Sequence, residues 1–215
     1  MNRSEKFWDK ASTNYDKTEE RLEYLHKKTI ENTKKYIKFS DIILDYGCGP
    51  GTKTCEIAKK VKEIHAIDIS SKMIEIAKEK AVKNKIRNVN FVQATIFDKK
   101  YKKESFDVIL AFNILHGLDD TQRVMQRLHE LLKLEGLIIS ITPCLREKMS
   151  FLVNLQFNFF FLLSKIGIIP ISIKRYRSSE LDDLIVHGNF QIIETEKLYK
   201  GLSSYFIAAK KTYRT

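Results

Sequence analysis

The sequence predicts an α/β fold: a doubly wound, mostly parallel sheet with an antiparallel finish, in one domain over residues 1–215. Three observations predict it. Short apolar runs alternate with segments of helical periodicity through the middle of the chain, the pattern of parallel strands whose crossover helices cover both faces. A glycine turn, Asp45-Tyr46-Gly47-Cys48-Gly49-Pro50-Gly51, joins the first run to the first of those helices. The last two runs are separated by a brief turn at Lys200-Gly201, far short of the roughly dozen residues a parallel crossover requires.

Residues 5–37 are polar, with Leu22, Leu25, Ile30 and Ile37 at helical spacing, and read as one or two amphipathic helices. Residues 41–47 form a short apolar run ending in glycine, a buried strand. Residues 52–61 read as a helix and 63–69 as the second strand. Ser70 opens the next helix with capping chemistry, and Glu75 lies in an early turn. Strands are expected at 88–94 and 106–112, and an amphipathic helix at 119–134 stopped by Gly136. A fifth strand at 137–142 is stopped by Pro143, and strands at 190–199 and 204–209 form the closing hairpin.

A chain that is 43% apolar can bury a substantial core. Cys48, Cys55 and Cys144 are an odd set without a CxxC pair, which argues against a disulfide framework and a four-ligand zinc site. Reduced thiols, and residues 1–10 without the apolar core of a secretory signal, predict a cytoplasmic protein. The net charge of +11 suits nucleic acid, a membrane surface or acidic substrates. Of the 38 cations, however, 29 are Lys and 9 are Arg. Readers of phosphate and base edges favour the planar Arg fork, so nucleic acid is not implied.

The glycine turn carries the chemistry. Glycines permit positive φ and let a ligand approach the backbone. The helix that follows offers free amides at the sheet's carboxyl edge, where ligands of such folds bind. Asp68 closes the second strand and is placed to accept hydrogen bonds from ribose hydroxyls. A dinucleotide dehydrogenase shares this layout, but its GxGxxG fingerprint fails because the sixth position is Thr52. An acid two residues before the first glycine would repel a pyrophosphate; it suits a cationic ligand.

The segment Ile43-Leu-Asp-Tyr-Gly-Cys-Gly-Pro-Gly51 resembles the first motif of the class I S-adenosylmethionine-dependent methyltransferases. Ala66-Ile-Asp-Ile-Ser70 resembles their second motif, Phe106-Asp-Val-Ile-Leu-Ala-Phe-Asn113 their fourth, and Gly136-Leu-Ile-Ile-Ser140 their fifth strand. The resemblance implies a seven-stranded Rossmann-like methyltransferase fold and S-adenosylmethionine as cofactor. By the same resemblance Asp45, Gly47, Cys48 and Gly49 surround the methionine moiety, and Asn113 lines its end. Asp68 holds the ribose, Ile69 packs on the adenine, and Met73, Ala94 and Ile96 complete the cofactor contacts. Where the family usually places an acid after the third strand, this chain has Thr95, whose hydroxyl can still accept one hydrogen bond. In similar enzymes an N-terminal helix with a Tyr-Asp pair closes over the cofactor. Tyr15-Asp16, with Trp8, match it here within a helical lid over residues 1–40, and ordinary packing explains them equally.

Methyl transfer needs alignment above all, and a base only where the acceptor must lose a proton. His116, just past the fourth strand, is the candidate base; the alternative is a histidine that ties down its loop. Pro143-Cys144 does not match the cysteine nucleophile of RNA cytosine methyltransferases, and Asn113-Ile-Leu-His116 lacks the Asn/Asp-Pro-Pro-Tyr run of enzymes acting on amino groups of bases. Residues 145–180 contain an apolar insertion, MSFLVNLQFNFFFLL, too short for a membrane span. It lines a pocket for a lipophilic acceptor, docks on a membrane with Lys165, Lys174, Arg175 and Arg177, or is a packed helix or dimer contact. The expected function is methylation of a small, lipophilic acceptor by a monomer or homodimer. The alternatives are an RNA or protein methyltransferase and a non-catalytic cofactor-binding protein.

Overall fold

A computed structural model describes residues 3–213, leaving out the side chains of Asn14 and of residues 16–21. Its seven strands form one sheet in the order β3-β2-β1-β4-β5-β7-β6. The strands are β1 (Ile42–Tyr46), β2 (Glu63–Asp68), β3 (Val89–Gln93), β4 (Phe106–Phe112), β5 (Leu132–Pro143), β6 (Phe190–Tyr199) and β7 (Ser203–Lys211). The first five are parallel, and β7 runs antiparallel between β5 and β6. The doubly wound sheet with its antiparallel C-terminal hairpin is the fold expected from the sequence.

Alternation along the central strands supplies a core to each face. Ile43, Ile64, Ala66, Val108 and Leu110 face α3 (Thr52–Ala58) and α4 (Ser71–Lys83), joined by Leu25 of α2 (Glu23–Lys34). Leu44, Ile67, Ile109 and Ala111 face α5 (Thr121–Leu131) and α7 (Ser178–His187). At the N-terminus α1 (Arg3–Arg21) breaks from α2 at Leu22, so the first 40 residues hold two helices. The predicted cap forms: Ser70 Oγ accepts from Met73 N at 3.1 Å.

Two differences from the sequence reading stand out. Helix α5 ends at Leu131 and β5 already begins at Leu132, so Gly136 is not a helix cap. It lies in an irregularity of the β4–β5 pairing, where the register jumps between Phe106 and Val108 and Glu135 adopts φ +64°. A Cβ at Gly136 lies 2.9 Å from Lys133 O and 3.1 Å from Asp107 O, so only glycine fits. The second difference is α7, which covers β6 and was not read as a helix; Glu180 answers the Arg177 amide at 2.7 Å to open it.

Candidate active site

Strand β1 ends in a buried acid. Asp45 is 2% exposed, and Thr54 Oγ1, in the first turn of α3, donates to its Oδ2 at 2.6 Å. Burial raises this carboxyl to about 6, and the Thr54 hydrogen bond opposes the rise. The chain then turns through Gly47, Gly49 and Gly51, all at positive φ. Their reasons differ. A Cβ at Gly51 falls 2.8 Å from Ala77 Cβ and 2.9 Å from the Phe91 ring, so this glycine lets α3 pack on α4 and β3. At Gly47 a Cβ meets Ile114 at 2.4 Å. At Gly49 the nearest atom is the Tyr15 ring, 3.9 Å away. Gly49 alone opens a space that a ligand can use.

Asp68 ends β2 beside this turn. Its Oδ2 accepts from Gly49 N at 3.0 Å and its Oδ1 from Ser70 N at 2.8 Å, which fixes the glycine turn to the neighbouring strand. Burial lifts its pKa, opposed by these amides. Helix α1 lies across the same edge. Asp9 Oδ1 accepts from Ser70 Oγ at 2.6 Å and from Lys72 N at 3.2 Å. Gln93 Nε2 donates to Glu5 Oε1 at 2.8 Å and to Ile69 O at 3.0 Å. The sequence reading missed Glu5, Asp9 and Gln93, because contacts across 61 and 88 residues leave no local pattern.

The structure brings Tyr15, Asp45, Gly47, Cys48, Gly49 and Asn113 together around one cleft, with Pro50, Lys53 and Phe112. Asn113 adopts φ +54°, a backbone region that Asn tolerates better than most residues, and its amide donates to Ile141 O at 2.8 Å. Ala94 N donates to Asp68 O at 3.0 Å, which places the segment 94–96 at the end of β3 beside Asp68; Thr95 is exposed. Met73 and Ile96 are buried, Ile96 within the core under α5. Trp8 packs edge-on against Phe7, and the Asp16 side chain lies outside the described residues. His116 sits on a short 3-10 turn, Leu115–Gly117, outside the lining of the cleft. Its Nδ1 is buried without a hydrogen-bond partner, and burial lowers its pKa to about 4, so the ring is neutral at pH 7. A larger groove lies elsewhere, between α5 and α7, lined by Arg123, His129, Tyr176, Asp183 and His187, and holds none of the predicted site residues.

Comparison with known proteins converges on one family. The profile of the family described as "Methyltransferase domain" matches residues 37–165. A release factor glutamine methyltransferase of Fusobacterium nucleatum is 26% identical over 170 residues, 78% of this chain and 47% of that protein. The chain thus spans about half the length of that relative. The ubiquinone/menaquinone biosynthesis C-methyltransferase UbiE of Campylobacter jejuni is 26% identical over 196 residues, 81% of each chain. Among solved structures, the methyltransferase in complex with the Haloferax volcanii Trm112 activator superposes with a TM-score of 0.80 over 99% of both chains, at 11% identity.

Proposed function

The chain belongs to the S-adenosylmethionine-dependent methyltransferase family, and we propose that it transfers the methyl group of that cofactor to a small, lipophilic acceptor. One observation carries the reading: a buried carboxylate, Asp45, stands behind a turn whose only open glycine, Gly49, is tied to a second, half-buried carboxylate, Asp68. The residues fit the cofactor. Asp45 supplies negative charge toward a cationic amino-acid tail, Gly49 lets it reach the backbone, and Asp68 has acceptor capacity left for ribose hydroxyls. Tyr15 and Asn113 line the same cleft. The bound cofactor supplies an electrophilic methyl on sulfur; the protein's own task is alignment and exclusion of water. Since α1 bonds to Ser70, Lys72 and Gln93 across this edge, residues 1–40 act as its lid.

The insertion at 145–180 and the likeness to the quinone-biosynthesis relative support a lipophilic acceptor. The release factor relative favours a protein acceptor as a second reading, but Asn113-Ile-Leu-His116 lacks the run expected for amino-group methylation. A radiolabelled methyl-transfer screen across quinone, lipid, small-amine, protein and RNA fractions separates the two readings. Label in quinone or lipid supports the first; label confined to protein or RNA overturns it.

His116 is proposed as the base for acceptors that must lose a proton, because it follows the fourth strand at the sheet's carboxyl edge and its ring is neutral at pH 7. His116→Gln is expected to lower turnover by about a hundredfold or more with cofactor affinity unchanged. Full turnover in that variant removes the role.

Asp45 predicts a pH dependence with opposite signs for binding and stability. Its folded pKa of about 6 lies above the ordinary 3.8. Its contribution to stability is therefore greatest in acid and is lost as pH rises between these values. Binding of the cationic cofactor strengthens over the same interval as the carboxylate forms. Calorimetry from pH 5 to pH 7 is expected to show rising affinity in the wild type and a flat profile in Asp45→Asn. That variant keeps an acceptor for Thr54 and is expected to be more stable at pH 7, by about 1–3 kcal/mol.

A further inference from the structure

Helix α6 (Phe151–Lys165) has two apolar faces, and only one of them is used. Val153, Phe157 and Phe161, four residues apart, are partly covered by the protein. Opposite them, at spacings of three and four, lie Leu152, Leu155, Phe159 and Leu162, which are 56–76% exposed. At 100° per residue these four share one stripe turned away from the body, while Asn154, Gln156 and Asn158 fall on its flanks. The turn that follows continues the surface, with Ile166 61% and Ile168 65% exposed. Eight of the seventeen exposed large apolar side chains among the described residues lie within residues 151–168. A monomer in water rarely presents so concentrated a patch without a partner.

Charge identifies the partner. From residue 148 to residue 179 the chain has no acidic residue and five cations, Lys148, Lys165, Lys174, Arg175 and Arg177. Several of them meet aromatic faces or neutral oxygens. Lys165 Nζ and the Arg175 guanidinium lie 5.6 and 5.4 Å from the Phe161 ring centre, and Lys148 Nζ lies 5.5 Å from that of Tyr199. Lys174 Nζ donates to Asp119 O and Thr121 Oγ1. An apolar stripe rimmed by unneutralised cations fits an anionic lipid surface, where the side chains enter the acyl boundary and the cations meet headgroup phosphates. A second copy of this chain fits poorly, because pairing the same face twofold brings like charges together with no acid in the segment to answer them. We propose that α6 and the turn after it dock this protein, in the plane of the interface, on an anionic membrane. No described helix is long and apolar enough to cross one. The segment after α6 returns to the sheet's carboxyl edge: Pro170 O accepts from Ser4 Oγ of the lid, and Lys174 N donates to His116 O at 2.7 Å. Docking therefore holds the edge that carries the cleft near the lipid.

The inference does not depend on the reaction, and its test is independent of turnover. The full chain is centrifuged with vesicles of phosphatidylcholine alone and with about one-third phosphatidylglycerol. Co-sedimentation with the anionic vesicles that weakens with salt is expected, with far less on the neutral ones. L152E/F159E, at two exposed positions, is expected to bind the anionic vesicles at least about tenfold more weakly at an unchanged melting temperature. K148Q/K165Q, which leaves the apolar stripe intact, is expected to lose about tenfold and to flatten the salt dependence. Three results overturn the proposal: no binding to anionic vesicles by the wild type, binding by both variants as tight as that of the wild type, or a wild-type dimer in light scattering that L152E/F159E dissociates without vesicle binding in either form.

Discussion

Asp68→Ala is expected to weaken S-adenosylmethionine binding by about 2–4 kcal/mol, or roughly 30- to 1000-fold in Kd, because it removes the two charge-assisted hydrogen bonds proposed for the ribose. The variant also leaves the Gly49 and Ser70 amides, now held at 3.0 and 2.8 Å, without their acceptor. Some stability is therefore lost as well. Asp68→Asn separates the two effects: it retains an oxygen for one amide but carries no charge toward the ribose. Titration calorimetry on both variants, with thermal melts beside it, is expected to show weak binding in both and a smaller melting shift in the Asn form. An unchanged Kd in the Ala variant removes Asp68 from the site.

The glycines of the turn are expected to divide by function. Gly51→Ala forces a side chain into φ +72° and against Ala77 and Phe91. The two costs, left-handed backbone and overpacking, sum to about 2–5 kcal/mol, or roughly 5–15 °C in Tm for a domain of this size. Gly49→Ala meets no atom closer than 3.9 Å, so it bears only the backbone cost at φ +54°. Its added methyl projects into the cleft, so affinity is expected to fall more than stability. Melting curves and cofactor titrations of the two variants check this division. Equal melting shifts would contradict it.

The strand and helix order was legible because the central strands are short, mostly apolar runs bounded by turn residues, as at 41–47 and 106–112. The candidate turn was legible for a similar reason: Asp45, the three glycines and Asp68 are all local to two strand ends. What escaped was set by distance or by irregular backbone. Asp9 and Glu5 reach the site only because α1 folds across α4 and β3. Gly136 looked like a helix stop but serves a jump in strand register, which depends on the partner strand β4. The insertion's apolar content was plain in the sequence, but which of its faces stays in water depends on where α6 rests. The neutral state of His116 likewise follows from its burial rather than from its neighbours in sequence.

A crystal structure with S-adenosylhomocysteine tests the central claim most directly. The amino-acid tail is expected over Gly49 between Asp45 and Asn113, with the ribose hydroxyls within hydrogen-bond distance of Asp68. Density in the groove between α5 and α7, or anywhere that leaves Asp68 bonded only to Gly49 and Ser70, contradicts it.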